Sequence, residues 1–143
     1  MSFFKKIFRC NCPVTSALDI VGDKWTLVIV KHMLFEYKKT FKDFSESEES
    51  IAPNILSARL KDLEKFEFIK KTNHPNNKKT KIYLLTQKGL TLTPIIFSLA
   101  KWSYENIRKS SHPFFDELSS QKKDINELHQ EIIDAYKKKA VIT

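Results

Sequence analysis

The sequence predicts a mainly α-helical chain with one small β-hairpin, an α+β fold. Apolar residues recur at helical spacing in several segments, capping and turn residues separate those segments, and two short β-rich segments follow Phe68. The 143 residues are 41% hydrophobic, which is enough to bury a sizeable core. We expect an N-terminal arm at residues 1–11, one main domain at 12–110 and a C-terminal helical extension at 111–143.

The first two helices are marked by their boundaries. Pro13 suits the first turn of a helix, and Gly22 is a natural C-terminal stop. Between them lies a short apolar stripe, formed by Val14, Ala17, Leu18 and Val21. Asp23 can cap the next helix, whose body "KWTLVIVKHML" is apolar on nearly every side. This second helix is therefore predicted to lie at the centre of the domain.

A helix-turn-helix order follows. "TFKD" at 40–43 has the spacing of a capping box, and Phe41 and Phe44 would form the buried face of that short helix. "SESEES" at 45–50 is too polar for the core and predicts a turn. Pro53 then opens a second helix, which continues through "NILSARLKDLEK".

This second helix has two distinct faces. Leu56, Leu60 and Leu63 recur at the spacing of an apolar stripe. The residues roughly opposite are small, polar or basic: Asn54, Ser57, Ala58, Lys61 and Lys65. An Asn amide can pair with an adenine edge, a Ser hydroxyl can donate or accept, and Lys can contact guanine or phosphate. An ordinary solvated helix face is the alternative interpretation.

The segments "FIKKT" and "TKIYLLT" flank the turn-rich "NHPNNKK" and predict a β-hairpin. A helix-turn-helix followed by a basic hairpin is the order of a winged helix, in which the second helix enters the major groove. Thr86 can then cap another helix. Its apolar face, which we expect to pack on its own domain, comprises Leu92, Ile95, Ile96, Leu99 and Trp102.

The C-terminal extension carries a further helical stripe, formed by Ile125, Leu128, Ile132 and Tyr136. Together with Phe114 and Phe115, this stripe is surplus apolar surface for a domain that already has a core. Surplus apolar surface usually marks an interface. We therefore expect the extension to pack across or beside a dimer.

The charge is concentrated where the winged helix would meet a polyanion. The chain has a net charge of +8 and a pI near 9.4. Such an excess suits a polyanionic partner, either nucleic acid or an anionic membrane, but it can also serve solubility alone. The location of the basic residues distinguishes these interpretations. Residues 53–81 hold eight basic and three acidic residues, a net +5. Double-stranded DNA, and no membrane, is the predicted partner. The predicted DNA-binding residues are Asn54, Ser57, Ala58, Arg59, Lys61, Lys65, Lys78, Lys79 and Lys81.

Arg59 is the ambiguous member of this set, because it falls at the edge of the leucine stripe. It could extend to a phosphate, or it could bond a carboxylate or a backbone carbonyl within the fold. The phosphate is slightly favoured.

Several function classes are disfavoured. Two glycines exclude glycine-rich phosphate loops, and the four scattered histidines lack the spacing of a helical metal site. No metal, cofactor or enzyme activity is predicted. No apolar run is long enough for a membrane span, and a signal-peptide pattern is missing. Cys10 and Cys12 are too close to pair comfortably, so a reducing cytoplasm is expected.

These motifs together resemble the HxlR-type transcriptional regulators, a winged helix-turn-helix group similar to the MarR proteins. The resemblance is carried by "CPVTSALDIVGDKWTLVIV", "LSARLKDLE", "YLLTQKG" and "LAKWSYEN", over about residues 12 to 107. It implies a homodimer with flanking dimerisation helices that binds a near-palindromic operator. In two places the sequence departs from the family pattern: Ala52 replaces a frequent capping Ser, and Thr80 replaces a frequent wing Arg.

Cys12 is the candidate for redox sensing. It immediately precedes Pro13, and the N-terminus of a helix favours the reactive thiolate. Lys24 or Arg9 could help if either lies close, and Cys10 is a possible second thiol. Some members of the family sense electrophiles or oxidants through the cysteine that Cys12 matches. The alternative is a partly buried, inert cysteine.

We therefore expect a dimeric, sequence-specific DNA-binding transcriptional regulator. A response to oxidants or electrophiles through Cys12 is a second class of function, and a small-molecule effector stays open. The alternative is a winged helix that binds RNA or protein without reading a DNA sequence. Neither the operator nor the direction of regulation follows from the sequence.

Overall fold

The computed structural model describes residues 8–109 and 124–142 and has a helical body with one β-hairpin. The elements in chain order are α1 (Pro13–Val21), α2 (Thr26–Glu36), α3 (Phe41–Ser45), α4 (Pro53–Lys65), β1 (Ile69–His74), β2 (Asn77–Leu85), α5 (Gln87–Leu90), α6 (Thr93–Asn106) and α7 (Ile125–Ile142). This is the winged helix-turn-helix that the sequence predicts.

The predicted boundaries of α1 are confirmed, whereas α2 begins at Thr26, two residues later than the sequence indicates. Pro13 opens α1, and Gly22 ends it with its N–H on the Leu18 carbonyl. A Cβ atom at Gly22 would lie 2.3 Å from the Leu18 oxygen, so this close approach requires glycine. The Asp23 carboxylate accepts from the backbone N–H groups of Trp25 and Thr26, at 2.8 and 2.9 Å, and so caps α2.

Helix α2 lies at the centre of the core, as its uniformly apolar sequence predicts. Its side chains Ile29, Val30 and Met33 are fully buried. Around them pack residues of every later helix: Phe44, Leu56, Leu60, Leu63, Leu90, Ile96, Ile132 and Tyr136. The helix-turn-helix and the other helices therefore share one continuous core.

Helix α3 begins with the predicted capping box. Thr40 accepts from the Asp43 N–H, and the Asp43 carboxylate accepts from the Thr40 N–H at 3.1 Å. Phe44 is fully buried, but the expectation that Phe41 is buried beside it is wrong, since Phe41 is 38% exposed. Phe41 is the first helical residue, and it lines an open groove that faces β2.

The turn between α3 and α4 is only partly as expected. Residues 46–49 form the turn, Ser45 is still the last residue of α3, and Ser47 within the turn is buried. Ser50 adopts a left-handed conformation with φ of 55°, and Glu67 after α4 has φ of 66°. Both helix boundaries therefore use a conformation that is unusual for residues other than glycine.

The hairpin forms the wing. β1 and β2 are antiparallel, with Ile69 opposite Leu85 and Asn73 opposite Lys81, and the register shifts between Asn73 and His74. The strands extend further than the sequence indicates, because residues 73–74 and 77–79 of the turn-rich segment belong to them. Only residues 75 and 76 remain as the connection.

The helix expected after Thr86 is divided into α5 and α6. Thr86 caps α5 by accepting from the Gly89 N–H, which confirms its predicted role. Pro94 has no N–H to donate to the Leu90 carbonyl, so one continuous helix cannot form there. The Thr93 hydroxyl donates to that carbonyl at 2.7 Å instead, at the start of α6.

The apolar face of α6 is only half covered by its own domain. Leu92 and Ile96 are buried, as expected. Ile95, Leu99 and Trp102 are 43%, 49% and 57% exposed, so the expectation that they pack on the same domain is wrong. Helical spacing identifies an apolar face but does not say which surface covers it.

Helix α7 confirms the helical spacing of the C-terminal stripe. Leu128, Ile132 and Tyr136 are buried within their own chain, and α7 contacts α2 and α6. The expectation that these three residues are surplus surface for a dimer is therefore wrong, whereas Ile125, the first residue of the predicted stripe, is 47% exposed. Phe114 and Phe115 lie outside the described residues. None of the described helices combines the length and apolar character that a membrane crossing requires.

Candidate nucleic-acid interface

The exposed side of α4 carries the residues that were predicted to contact bases and phosphates. The three leucines at 56, 60 and 63 are buried, whereas Asn54, Ala58 and Lys61 are exposed and Ser57 is partly exposed. Lys65 is exposed at the last turn of the helix. The two-faced pattern of the sequence is thus a real division between core and surface, and these side chains can contact an outside partner.

The N-terminus of α4 has no side-chain cap. Ala52 occupies the capping position, and the Ser50 hydroxyl bonds to the Glu48 carbonyl at 3.5 Å and does not replace the cap. Pro53 at the first helical position has no N–H to satisfy. The Leu56 N–H donates to the Ala52 carbonyl, so the amides of Asn54 and Ile55 are the first-turn donors for which a phosphate oxygen is a suitable acceptor.

Arg59 has carboxylate partners within the fold. Its Nη2 lies 3.1 Å from Asp62 Oδ2, and its Nη1 lies 3.6 Å from Asp23 Oδ2. Burial by itself would raise the pKa of Asp23, but hydrogen bonds from Thr26 and Trp25 and the charge of Arg59 hold it below its ordinary value. Of the two alternatives for Arg59, the structure contains the carboxylate pairing, which fastens α4 to the cap of α2.

The wing presents three lysines. Lys78, Lys79 and Lys81 are exposed on β2, near the connection of the hairpin. Lys81 Nζ bonds to Asn73 Oδ1 on the opposite strand, and the Asn77 side chain accepts from the Lys79 N–H at 3.1 Å. Their ammonium groups supply positive charge at a protruding edge, which is the requirement for phosphate contact.

An open groove between α3 and the wing adds residues that the sequence interpretation missed. Lys42, Thr40 and Ser45 line its α3 side, and Lys79 and Lys81 line its wing side. Hydroxyl and ammonium groups of this kind bond phosphate oxygens and position a protein on a duplex. The capping box located α3, but only the folded chain brings Lys42 opposite the wing.

The base of the wing is fixed to the helix-turn-helix. The Tyr83 N–H donates to the Lys39 carbonyl at 2.7 Å, and the Tyr83 ring meets Phe44 edge-on with centroids 6.3 Å apart. Burial raises the pKa of Tyr83, and the nearby charge of Glu64 raises it further. The wing and α3 are therefore parts of one surface.

A half-buried polar cluster supports the turn before α4. Lys31 Nζ lies 2.8 Å from Glu49 Oε2. The buried His32 contacts Glu36 through Nδ1, and its Nε2 lies 2.6 Å from Glu49 Oε2, outside hydrogen-bond geometry. Burial would raise the pKa of Glu49, but Lys31 and His32 lower it below its ordinary value. The cluster holds the turn against α2.

Cys12 is exposed at the N-cap of α1, and both cysteines are free thiols. Interactions with the Thr15 amide and hydroxyl and with the Val14 amide lower the pKa of the Cys12 thiol. The two cations that could have favoured the Cys12 thiolate, Arg9 and Lys24, have other partners. Arg9 Nε pairs with Asp19 at 2.5 Å, and Lys24 Nζ lies over the Trp25 ring.

No group of three or more metal-ligating side chains comes together in the part of the chain that the structure describes. The site therefore consists of exposed polar and basic side chains and helix-terminal amides. Such a surface offers binding and recognition of an anionic partner.

Comparison with known proteins identifies the same region. The family profile for the HxlR-like helix-turn-helix matches residues 20–111. Among curated relatives, the HTH-type transcriptional regulator YybR of Bacillus subtilis is 32% identical over 108 residues, covering 74% of this chain and 86% of YybR. YodB of the same organism, another HTH-type transcriptional regulator, is 32% identical over 93 residues, covering 64% and 82%.

Two solved structures share the architecture. The reduced form of YodB from B. subtilis has a TM-score of 0.57 at 29% identity, covering 71% of this chain and 100% of that chain. The redox regulator HypR in its reduced form has a TM-score of 0.59 at 31% identity, covering 66% and 93%. YodB has also been solved after diamide treatment and with quinone bound, and HypR in its oxidised form.

Proposed function

We propose, from the premise that this chain belongs to the HxlR-like helix-turn-helix family of transcriptional regulators, that it is a dimer that reads a specific DNA sequence. The family consists of non-enzymatic DNA-binding proteins. The observation that carries the proposal is the division of α4, which buries its leucines and exposes Asn54, Ala58 and Lys61.

Helix α4 is proposed to enter the major groove. Asn54 and Ser57 lie in its first two turns, where a recognition helix contacts base edges. An Asn amide suits adenine, and Lys61 suits guanine or a phosphate. Ala58 leaves room for close approach. The uncapped N-terminus of α4 suits a phosphate at the edge of the groove.

The wing is proposed to contact the DNA backbone through Lys78, Lys79 and Lys81. Lys42 and Thr40, on the other side of the groove, extend the same phosphate-binding surface. Arg59 stays among the proposed DNA-binding residues, but a phosphate would have to share the Arg59 guanidinium with the carboxylates of Asp62 and Asp23. Its main contribution is therefore expected to be the placement of α4.

A homodimer is supported by the uncovered apolar face on α1 and α6. Val14 and Leu18 are 67% and 55% exposed, and Ile95, Leu99 and Trp102 are also exposed. Exposed apolar surface of this kind marks an interaction site. Two-fold symmetry places two α4 helices on successive turns of the duplex and accounts for a near-palindromic operator.

A second function, thiol-based sensing, is supported by Cys12. Its thiol is exposed, and its pKa is lowered by the first-turn groups of α1. The relatives YodB and HypR are known in reduced and in oxidant-treated or oxidised forms. Because α1 also carries the exposed Val14 and Leu18, a modification of Cys12 is proposed to alter the dimer and so the spacing of the two α4 helices.

The test of DNA reading compares an operator-length duplex from the source genome with a random duplex at several salt concentrations. A dimer making about 6–10 phosphate contacts should lose roughly 10³–10⁵ in affinity between about 50 and 200 mM salt, and should prefer the operator. Equal affinity for all duplexes would contradict sequence reading. Preference for RNA, or salt-insensitive binding, would favour the alternative of an RNA- or protein-binding winged helix.

A further inference from the structure

The outer edge of the wing strand β2 carries two backbone donors that point away from β1. The Thr86 N–H donates to the Phe68 carbonyl across the hairpin at 3.0 Å. Since donors alternate in direction along a strand, the N–H groups of Leu85 and Tyr83 face the opposite side. An unpaired edge of this kind needs acceptors from elsewhere in the fold.

Two different segments supply these acceptors. The Lys39 carbonyl, in the connection between α2 and α3, accepts from Tyr83 at 2.7 Å. The phenol oxygen of Tyr136, on α7, accepts from the Leu85 N–H, also at 2.7 Å. Leu85 and Tyr136 are 6% and 5% exposed, so water cannot replace this bond without an opening of the structure.

Helix α7 is held in the position that this bond requires. Leu128 and Ile132 are buried on the same face, two turns and one turn before Tyr136 respectively. One turn later, the Lys139 ammonium lies 5.6 Å from the centre of the Tyr37 ring, next to the α2–α3 connection. α7 begins at Ile125, beyond the residues 20–111 that match the family profile.

We propose that Tyr136 is a positioning residue for the wing, and that α7 thereby belongs to the DNA-binding unit of this protein. The proposal rests on the proposed function, in which Lys78, Lys79 and Lys81 contact the DNA backbone. β2 includes all three lysines, and its pairing with β1 is regular from Lys81 to Leu85, so a change of angle at Leu85 is carried along the strand to Lys81. Lys81 is four residues from this anchor, about 13 Å along an extended strand.

Tyr136→Phe isolates the bond, because it keeps the ring in the core and removes only the acceptor. Without DNA, we expect the Leu85 amide to exchange with solvent roughly tenfold faster, while amides of α2 change little. With DNA, we expect the affinity to fall roughly threefold to tenfold and the salt slope to decrease toward that of Lys79→Ala. Tyr104→Phe removes an exposed hydroxyl from α6 and serves as the matched control.

The double variant Lys79→Ala/Tyr136→Phe adds a coupling test. If Tyr136 acts through the wing, the loss of affinity in the double variant is smaller than the product of the two single losses. A purely structural role would instead accelerate exchange in all core amides together and leave the salt slope unchanged, and this result would overturn the proposal. Unchanged exchange at Leu85 would overturn it as well.

The two experiments separate this inference from the function on which it rests. If wild-type protein shows no preference for any duplex, the proposed function fails, whatever the exchange of Leu85. If the wild type reads DNA but Tyr136→Phe matches Tyr104→Phe in affinity and salt slope, DNA reading stands and the role of Tyr136 in wing placement is refuted.

Discussion

Lys31 Nζ lies 2.8 Å from Glu49 Oε2, so one ion pair joins the central helix α2 to the turn that leads into α4. Both side chains are about three-quarters buried, at 24% and 28% exposure. We expect Glu49→Gln to lower the free energy of unfolding by about 1–2 kcal/mol, because Lys31 and the buried His32 lose their shared carboxylate. Urea denaturation measures this loss.

The matched control for this first prediction is Glu46→Gln in the same turn. Glu46 and Lys42 are 66% and 80% exposed and 3.9 Å apart, so their pair contributes about 0.5 kcal/mol or less. Equal destabilisation by the two substitutions would show that the Lys31–Glu49 pair contributes no more to the free energy of unfolding than an exposed ion pair does.

Acid should weaken the fold through the carboxylates that cap its helices. Burial would raise the pKa of Asp43, but the amides of Lys39 and Thr40 lower it below its ordinary 3.8, and Asp23 is lowered too. A carboxyl with a lowered pKa stabilises the fold above its ordinary pKa, and this contribution is lost as the pH falls through the folded value. Stability should therefore fall steeply below about pH 4.

Asp43→Asn tests this assignment, since Asn keeps a side-chain acceptor but does not titrate. The thermal midpoint of the variant should fall less steeply with acidification than that of the wild type. Parallel curves for the two proteins would mean that the acid sensitivity arises at other groups.

Side chains that contact bases and side chains that contact the phosphate backbone should give different binding profiles when they are replaced. Ser57→Ala or Lys61→Ala should change which operator variants are tolerated, with discrimination altered by about 1–3 kcal/mol at one base pair. Lys79→Ala should weaken all sequences nearly alike and reduce the salt slope by about one. Electrophoretic mobility shifts on an operator library measure both effects, and identical profiles for the two kinds of variant would refute the groove assignment of α4.

The exposed face of α6 should be the interface of a dimer. Leu99→Glu places a charge within that face and should raise the dimer dissociation constant by roughly thirtyfold, about 2 kcal/mol, without unfolding the domain. Sedimentation equilibrium measures the constant. Lys101→Glu, on another side of the same helix, changes the charge by more and should affect the dimer less; if it weakens the dimer as much as Leu99→Glu does, a specific apolar interface is disproved.

Cys12 should be the responsive thiol. Ser is a favourable N-cap, so Cys12→Ser should retain α1 and bind DNA normally but lose its response to diamide or a quinone. Cys10→Ser should respond much as the wild type does. The measurement is operator affinity before and after oxidant, and an equally sensitive Cys12→Ser would assign Cys12 a structural role only.

Local signals in the sequence located most element boundaries. Pro13, Gly22, the capping box at Thr40 and the Thr86 cap each fix a helix end through contacts within four residues, so the sequence alone contains both partners. The exception is the break between α5 and α6, where Pro94 interrupts the ladder of hydrogen bonds.

Burial and long-range partners were harder to predict. Periodicity grouped Leu99 and Trp102 with Ile96, although only Ile96 is covered, and it assigned the α7 stripe to another molecule. One of the two partners of Arg59, Asp23, is 36 positions away in sequence, and Lys42 lies opposite the wing only in the folded chain. Such relationships depend on how elements pack, which a single sequence pattern does not encode.

The two sides of α4 also differ in how much a substitution costs. Leu56, Leu60 and Leu63 are buried in the core, whereas Asn54 and Lys61 are exposed. Surface substitutions usually change stability by less than about 0.5 kcal/mol. The outward residues of α4 can therefore be exchanged together in a library of folded variants, so that the proposed recognition surface can be re-engineered while the core is kept.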